Sequence, residues 1–278
     1  MEKIRTSKAY HWPLWLSLSL SEEKRSTLPL NLIKKLNTAN SYLWEALNLY
    51  DDCLDNSDKT NLLPEANRLY RLYLEICFRS NYCDSFYRLL SRTINRLDQA
   101  NKKELSKFRL KIENGKFIKP NRSPDFGPLI SLSDKSLALA LSPIAILYSL
   151  ADKPDEQKIE KTMRFFRLAL SAKQLADDTK DWRADLQAGR LTRANWLVIK
   201  RLNQKTIDLT KEKINYQLNC IFVSFAAQTL GKNILYLCQK AKQESDRCGL
   251  GSRSKLVQEI ISPLENNAKR TNLKSHWL

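Results

Sequence analysis

Glycine and histidine are scarce in this chain of 278 residues, which holds 6 and 2 of them, and only 9 prolines are present. Long stretches pass with neither glycine nor proline. Sandwiches and barrels need frequent turns, and turns draw on those residues, so the shortage argues against both and for helices. The histidines are His11 and His276. The 6 cysteines, Cys53, Cys77, Cys83, Cys220, Cys238 and Cys248, form no CxxC pair. A zinc site of the usual kind is excluded on that ground. Several of these cysteines fall within helical apolar patterns, where a free thiol behaves as a small hydrophobe. A reducing cytoplasm is the expected setting.

Long apolar runs are missing too. Trp12 to Leu20 follows Lys3 and Arg5, but it contains Pro13, lacks a small-residue cleavage site and runs into Glu22 and Glu23. Those features set it apart from a signal peptide. Leu137 to Leu150 is interrupted by Pro143 and is too short to span a bilayer, so it reads as a buried core helix. No convincing period-2 alternation, internal repeat, low-complexity tract or recognised nucleic-acid motif occurs.

Positive charge is what the chain has in excess, with a formal net charge of +17. Such a field attracts nucleic acid, anionic lipid head groups or phosphorylated substrates. The charge is spread along the chain, with short patches at Lys102 to Lys111 and Lys200 to Lys213. The hydrophobic fraction of 42% is ordinary for a globular protein and permits a sizeable core. Apolar spacing predicts helices over Asn31–Asn56, Pro64–Asn81, Cys83–Gln99, Ser133–Leu150 with a kink at Pro143, Glu156–Ala188 closed by Gly189, Arg193–Thr229 with a break, Lys232–Asp246 and Ser254–Asn267. The segment Asn114–Pro128 reads as a loop.

Two acidic clusters stand out against the basic background. Asp51, Asp52 and Asp55 occur in the run YDDCLD. On a helix, Asp51 and Asp55 share a face that continues back through Asn48 to Trp44, beside a packing stripe of Leu43, Leu47, Tyr50 and Leu54. Asp177, Asp178, Asp181 and Asp185 occur in QLADDTKDWRADLQAGR. Asp177, Asp181 and Asp185 stand at i, i+4 and i+8, roughly opposite a stripe that includes Phe165, Leu168, Ala172, Leu175 and Trp182. Gln174 and Leu170 extend the acidic face backwards. Like charges at i, i+4 cost about 0.2–0.5 kcal/mol each. Two such columns call for a cation, and hard ions such as Mg²⁺ take carboxylate oxygens and bridge them to phosphates. For either cluster alone, a solvated acidic face balanced by Lys173, Lys180 and Arg183 explains the pattern equally well.

The run Asp51-Asp52-Cys53-Leu54-Asp55, and Gln174-Leu175-Ala176-Asp177-Asp178-Thr179-Lys180-Asp181 with Asp185 and Gly189-Arg190 behind it, resemble the two aspartate-rich motifs of the class I isoprenoid synthases. That superfamily joins head-to-tail prenyl diphosphate synthases, squalene/phytoene synthases and terpene cyclases. Lys135-Ser136 resembles the Lys-Thr that contacts diphosphate in the head-to-tail enzymes. Two departures are informative. Where head-to-tail enzymes carry paired arginines and a glycine after the first motif, this chain reads Asn56-Ser57-Asp58-Lys59-Thr60-Asn61, which speaks against a second diphosphate site. Where squalene/phytoene synthases place Tyr and Arg before that motif, it reads Trp44-Glu45-Ala46-Leu47-Asn48-Leu49-Tyr50.

The resemblance implies an all-α fold, a single helical domain over 1–278 around a central cavity, with 1–30 as an N-terminal extension. It implies Mg²⁺, or Mn²⁺ in its place, held by Asp51, Asp52, Asp55, Asp177, Asp178, Asp181 and Asp185, with Asp51, Asp55, Asp177 and Asp181 catalytic. The two clusters are then expected to face each other across one cavity mouth. Trp44, Asn48, Lys135, Leu170, Gln174 and Arg190 are the expected substrate contacts. The implied function is ionisation of a linear all-trans prenyl diphosphate with release of diphosphate, as in a terpene synthase. The alternatives are a prenyl-coupling transferase, or a non-catalytic basic helical module that binds nucleic acid or anionic membrane. On the enzyme reading the expected partners are a prenyl diphosphate, a second copy of the chain and a membrane surface, with no nucleic acid. The expected location is the cytoplasm.

Overall fold

A computed structural model describes residues 8–55, 57–80, 82–151 and 153–274, with the backbone alone at 57 and 271–274. Helix makes up 76% of it, and the fold is all-α. The helices are α1 Trp12–Leu18, α2 Glu22–Ser26, α3 Leu30–Asp55, α4 Leu63–Arg79, α5 Asp84–Lys107, α6 Leu141–Tyr148, α7 Glu156–Gln187, α8 Arg193–Ile199, α9 Glu212–Ile221, α10 Ala227–Arg247 and α11 Lys255–Lys274. The chain forms two compact units. The first holds Met1–Asp98, Asp134–Arg167 and Lys240–Ile260, and the second holds Gln99–Ser133, Leu168–Gln239 and Ile261–Leu278.

In the first unit α3 packs along α4, and α1 lies against α3 and α6. Leu36 and Leu43 of α3, Leu69 and Tyr73 of α4, and Phe86 of α5 are fully buried. Residues 8–20, expected as part of an extension, contribute core: Trp12, Trp15 and Leu16 are buried. Two buried amides of α3 tie that segment down. Asn40 Nδ2 donates to the Ala9 carbonyl at 2.7 Å, and Asn37 Oδ1 accepts the Leu14 N–H at 3.2 Å. Each bond spares one buried polar atom a desolvation cost of about 1–3 kcal/mol, although Asn40 Oδ1 is left buried without a partner among the described residues. The expected kink at Pro143 lies elsewhere. Tight 3₁₀ turns over Leu129–Lys135 and Leu137–Ala140 precede α6. Pro143 sits in the first turn of α6, where its missing N–H removes no helical bond. Every residue of α6 is buried, as expected for this apolar run.

The second unit contains a feature absent from the helical reading. Lys116–Ile118 forms strand β1, inside the expected loop, and pairs antiparallel with strand β2, Thr206–Asp208. The pair buries Phe117 and Ile207, which face each other in register. Strands this short show no alternation in sequence, and each partner is distant along the chain. The same strand interrupts the helix expected over Arg193–Thr229. Its first part, α8, starts at a capping box in which Thr192 and Asn195 exchange side chain and backbone hydrogen bonds. Helices α9 and α10 are joined through a π-turn, Phe222–Ala226. The run Glu212–Arg247 is long and apolar enough to cross a membrane. Ile214, Leu218, Leu230, Ile234 and Leu237 of that run are buried within the protein, but only 33% of its apolar stretch is buried, and Tyr216 and Tyr236 are exposed.

Candidate active site

Asp51, Asp52 and Asp55 occupy the last turn of α3. The C-terminus of a helix is the negative end of its macrodipole, so carboxylates gathered there are disfavoured unless cations approach. Two do. Lys135 Nζ lies 3.0 Å from Asp51 Oδ1, and Lys59 Nζ donates to Asp52 Oδ1 at 2.7 Å. The turn is anchored on both sides: the Cys53 thiol donates to the Lys59 carbonyl at 3.1 Å, and the Tyr50 hydroxyl donates to Asn67 Oδ1 at 2.6 Å. Asp51 and Asp55 are exposed, as is Asn48, while Asp52 and Trp44 are half-buried. The expected packing stripe ends early, since Leu43 is buried but Leu47, Tyr50 and Leu54 are only partly covered.

The second cluster lies in the C-terminal half of α7. Its four carboxylates have four different surroundings. Lys173 Nζ donates to Asp177 Oδ2 at 2.6 Å. Gln174 Nε2 donates to Asp178 Oδ1 at 2.9 Å, and Asp178 is buried. Asp181 is exposed. Asp185 is buried, and its Oδ1 accepts from Nε and Nη2 of Arg190 at 3.0 and 2.7 Å. The column read from helical spacing therefore divides: Asp181 faces solvent, whereas Asp185 is drawn into an ion pair. Leu170, expected on the same face, is 1% exposed and belongs to the core.

The end of α7 explains why Arg190 reaches back. Gly189 adopts φ 73°, and the N–H groups of Gly189 and Arg190 bond the carbonyls of Leu186 and Asp185 at 3.1 and 2.8 Å. This is the crossed pattern of a Schellman cap. A Cβ at Gly189 would stand 2.7 Å from the Leu110 carbonyl oxygen, so the position needs glycine twice over. Asn195 Nδ2 then donates to the Arg190 carbonyl at 2.7 Å. The expected substrate donor Arg190 is thus held in place as the partner of Asp185.

Among the described residues, no three histidine, cysteine or carboxylate side chains come together to hold a metal ion. Mg²⁺ does not need such a cage, because one or two carboxylates, water and substrate phosphates commonly complete its shell. Exposed Asp51, Asp55 and Asp181, with half-buried Asp177, offer oxygen donors of that kind.

No protein-family model matches the sequence, and no curated protein matches it. Solved structures do match. A polyprenyl synthase from Roseobacter denitrificans is similar with a TM-score of 0.66 at 10% identity, over 95% of this chain and 86% of that one. Octaprenyl pyrophosphate synthase from Helicobacter pylori is similar with a TM-score of 0.63 at 18% identity, over 98% of this chain and 91% of that one. The chain has the polyprenyl synthase fold.

That all-α fold carries polar groups here that the motifs did not announce. Asp134, beside Lys135 in sequence, lies 3.6 Å from Arg167. Burial holds the Asp134 carboxyl above its usual range and the Arg167 guanidinium below its own. Arg193 donates to the Gly127 carbonyl and sits 5.4 Å from the Phe126 ring, with its pKa lowered by burial against the opposing charge of Asp178. The run DKS at the head of an apolar stretch was the available signal for Asp134. Arg193 had none, because the loop that receives it is distant in sequence.

Proposed function

We propose that this chain is a prenyltransferase that acts on a prenyl diphosphate, using both acidic clusters. The fold carries the reading: similarity to a polyprenyl synthase and an octaprenyl pyrophosphate synthase runs through 95% and 98% of the chain. Lys135 beside Asp51 supports it, since a fixed ammonium at an aspartate motif suits a polyanionic head group.

Prenyl transfer begins as the allylic carbon–oxygen bond breaks and charge builds on the departing diphosphate. Lys135 holds one positive charge in place for that oxygen. Asp51, Asp55, Asp177 and Asp181 would hold Mg²⁺, or Mn²⁺ in its place. When bound, the ions neutralise the diphosphate and make it a better leaving group. Gln174 orients Asp178, and Lys173 holds Asp177 in a defined position. Trp44, two turns before Asp51 on α3, is the candidate ring for stabilising an allylic cation. Asp185 and Arg190 maintain the end of α7. Cytoplasmic action, peripheral membrane contact and a homodimer belong to the same proposal.

A second reading, ionisation of one prenyl diphosphate as in a terpene synthase, is favoured by one observation. Asn56-Ser57-Asp58-Lys59-Thr60-Asn61 stands where paired arginines would serve a second diphosphate. One experiment separates the readings. The protein is incubated with Mg²⁺ and C10, C15 or C20 diphosphate, with and without isopentenyl diphosphate, and the extract is analysed. Elongation only with isopentenyl diphosphate supports the transferase; product without it supports the terpene synthase. No turnover in either arm, with steeply salt-dependent binding to nucleic acid or anionic vesicles, overturns both in favour of a basic module.

A further inference from the structure

The second unit holds a half-open cavity of about 530 Å³ that the acidic clusters do not explain. Trp182 of α7, Phe222 and Val223 of the π-turn, Ile234 of α10 and Leu264 of α11 form its walls. Trp182 stacks on Phe222 with ring centroids 4.7 Å apart and planes at 12°. The π-turn shapes this wall, because one extra residue per turn shifts the side chains that follow it. On its other side, the Arg201 guanidinium lies 3.4 Å from the Phe225 ring centroid and fixes the turn. Such π-turns are frequent at functional sites.

The cavity is on a different side of α7 from the carboxylates. At about 100° per residue, Ala176, Thr179 and Lys180 lie opposite Asp178, Asp181 and Asp185, and Trp182 falls between Thr179 and Asp178. Asp177 alone borders both sides, and Lys173 already neutralises it at 2.6 Å. The other charged groups on the rim are Lys180 and Arg270. Both are exposed, and neither forms an ion pair among the described residues. An apolar interior with a cationic rim has one complementary ligand chemistry, an apolar chain ending in an anion. A volume within the usual 300–1,000 Å³ of ligand pockets accommodates one such chain.

We propose that this cavity binds a single-chain amphiphile, with its tail against Trp182 and Phe222 and its phosphate or carboxylate head at Lys180 and Arg270. The site goes beyond the prenyl-transfer reading and stands without it.

Titration calorimetry of the full chain with alkyl phosphates of increasing length, below micelle formation and in EDTA, tests it. Each added methylene is expected to tighten binding about fourfold until the cavity is full. The matching alcohols should bind at least about tenfold more weakly. Lys180→Glu with Arg270→Glu should weaken binding at least about tenfold at unchanged melting temperature, and Ala227→Phe should abolish it by filling the space. Asp51→Ala and Asp181→Ala should leave it unchanged, which separates this site from the diphosphate chemistry. Farnesyl phosphate against dodecyl phosphate assigns the chain: the tighter of the two names an isoprenoid or an acyl ligand, and either supports the site. Affinity independent of chain length, equal binding of alcohol and phosphate, indifference to the surface pair of substitutions, or loss of binding in Asp181→Ala overturns the proposal.

Discussion

The two aspartate clusters share a pattern in sequence and differ in what surrounds them. At the end of α3 the carboxylates are exposed or half-exposed, and their neutralising lysines, Lys59 and Lys135, come from outside the helix. On α7 the partners are mostly local: Lys173 for Asp177, Gln174 for Asp178 and Arg190 for Asp185, while Asp181 is exposed. The helix dipole explains part of the contrast. Asp51, Asp52 and Asp55, like Asp185 at the end of α7, need charge from beyond the helix, whereas Asp177 and Asp178 find partners one turn away. The lesson is that one spacing can serve two purposes. Asp51, Asp55 and Asp181 are left exposed and Asp177 half-buried, whereas Asp185 is buried in an ion pair with Arg190.

The comparison breaks most visibly in turnover. Asp51→Ala and Asp181→Ala are each expected to lower the rate with Mg²⁺ and prenyl diphosphate by at least about a hundredfold, with far-UV circular dichroism unchanged. If both clusters serve one diphosphate, the double variant should lose far less than the product of the two single losses. Fully multiplicative effects would mean that the clusters act separately. Asp185→Ala should behave in the opposite way. Removing one partner of this largely buried pair is expected to cost about 3 kcal/mol of stability in denaturant titration, because the Arg190 charge is left uncompensated.

Gly189→Ala sharpens the same point at the backbone. A left-handed residue that also meets the Leu110 carbonyl should cost at least about 1–2 kcal/mol, measured by thermal unfolding. Lys135→Gln should change stability by less than about 1 kcal/mol, because its partner is exposed, while raising KM for the diphosphate. The smallest effect concerns a carboxylate outside both clusters. The Thr210 hydroxyl donates to Asp208 and holds its carboxyl below the usual value. Its stabilisation is therefore full above the unfolded value and is lost as pH falls through the lower folded one. Asp208→Asn should narrow the difference in melting temperature between neutral and acid solution.

Long helices free of glycine and proline were legible in the sequence. α3 was expected over Asn31–Asn56 and runs Leu30–Asp55; α7 was expected over Glu156–Ala188 and runs Glu156–Gln187. α5 was foreseen only to Gln99 and continues to Lys107. Its last turns are polar, with Leu105 exposed, so no stripe marks them. Strands β1 and β2 were missed because the signal for each is the other. Within the site, helical angle put Asp177, Asp181 and Asp185 on one face, but their surroundings divide them, with Asp181 exposed and Asp185 buried in an ion pair. Asn48 was expected on a wall and is exposed, and Leu170 was expected on a cavity face and is buried. Periodicity reports which residues share a face, and says nothing of what covers that face.

The sequence by itself determined the all-helical class, the two aspartate motifs and the stop at Gly189. Each of these depends on residues within a few turns of one another, where the 3.6-residue period and local sterics decide the outcome. Tertiary structure alone decided that Lys135 stands beside Asp51, that β1 finds β2, and that a cavity opens behind the Trp182 and Phe222 stack. Those arrangements join residues distant along the chain, and burial of apolar surface sets them through the packing of whole helices rather than through any local preference.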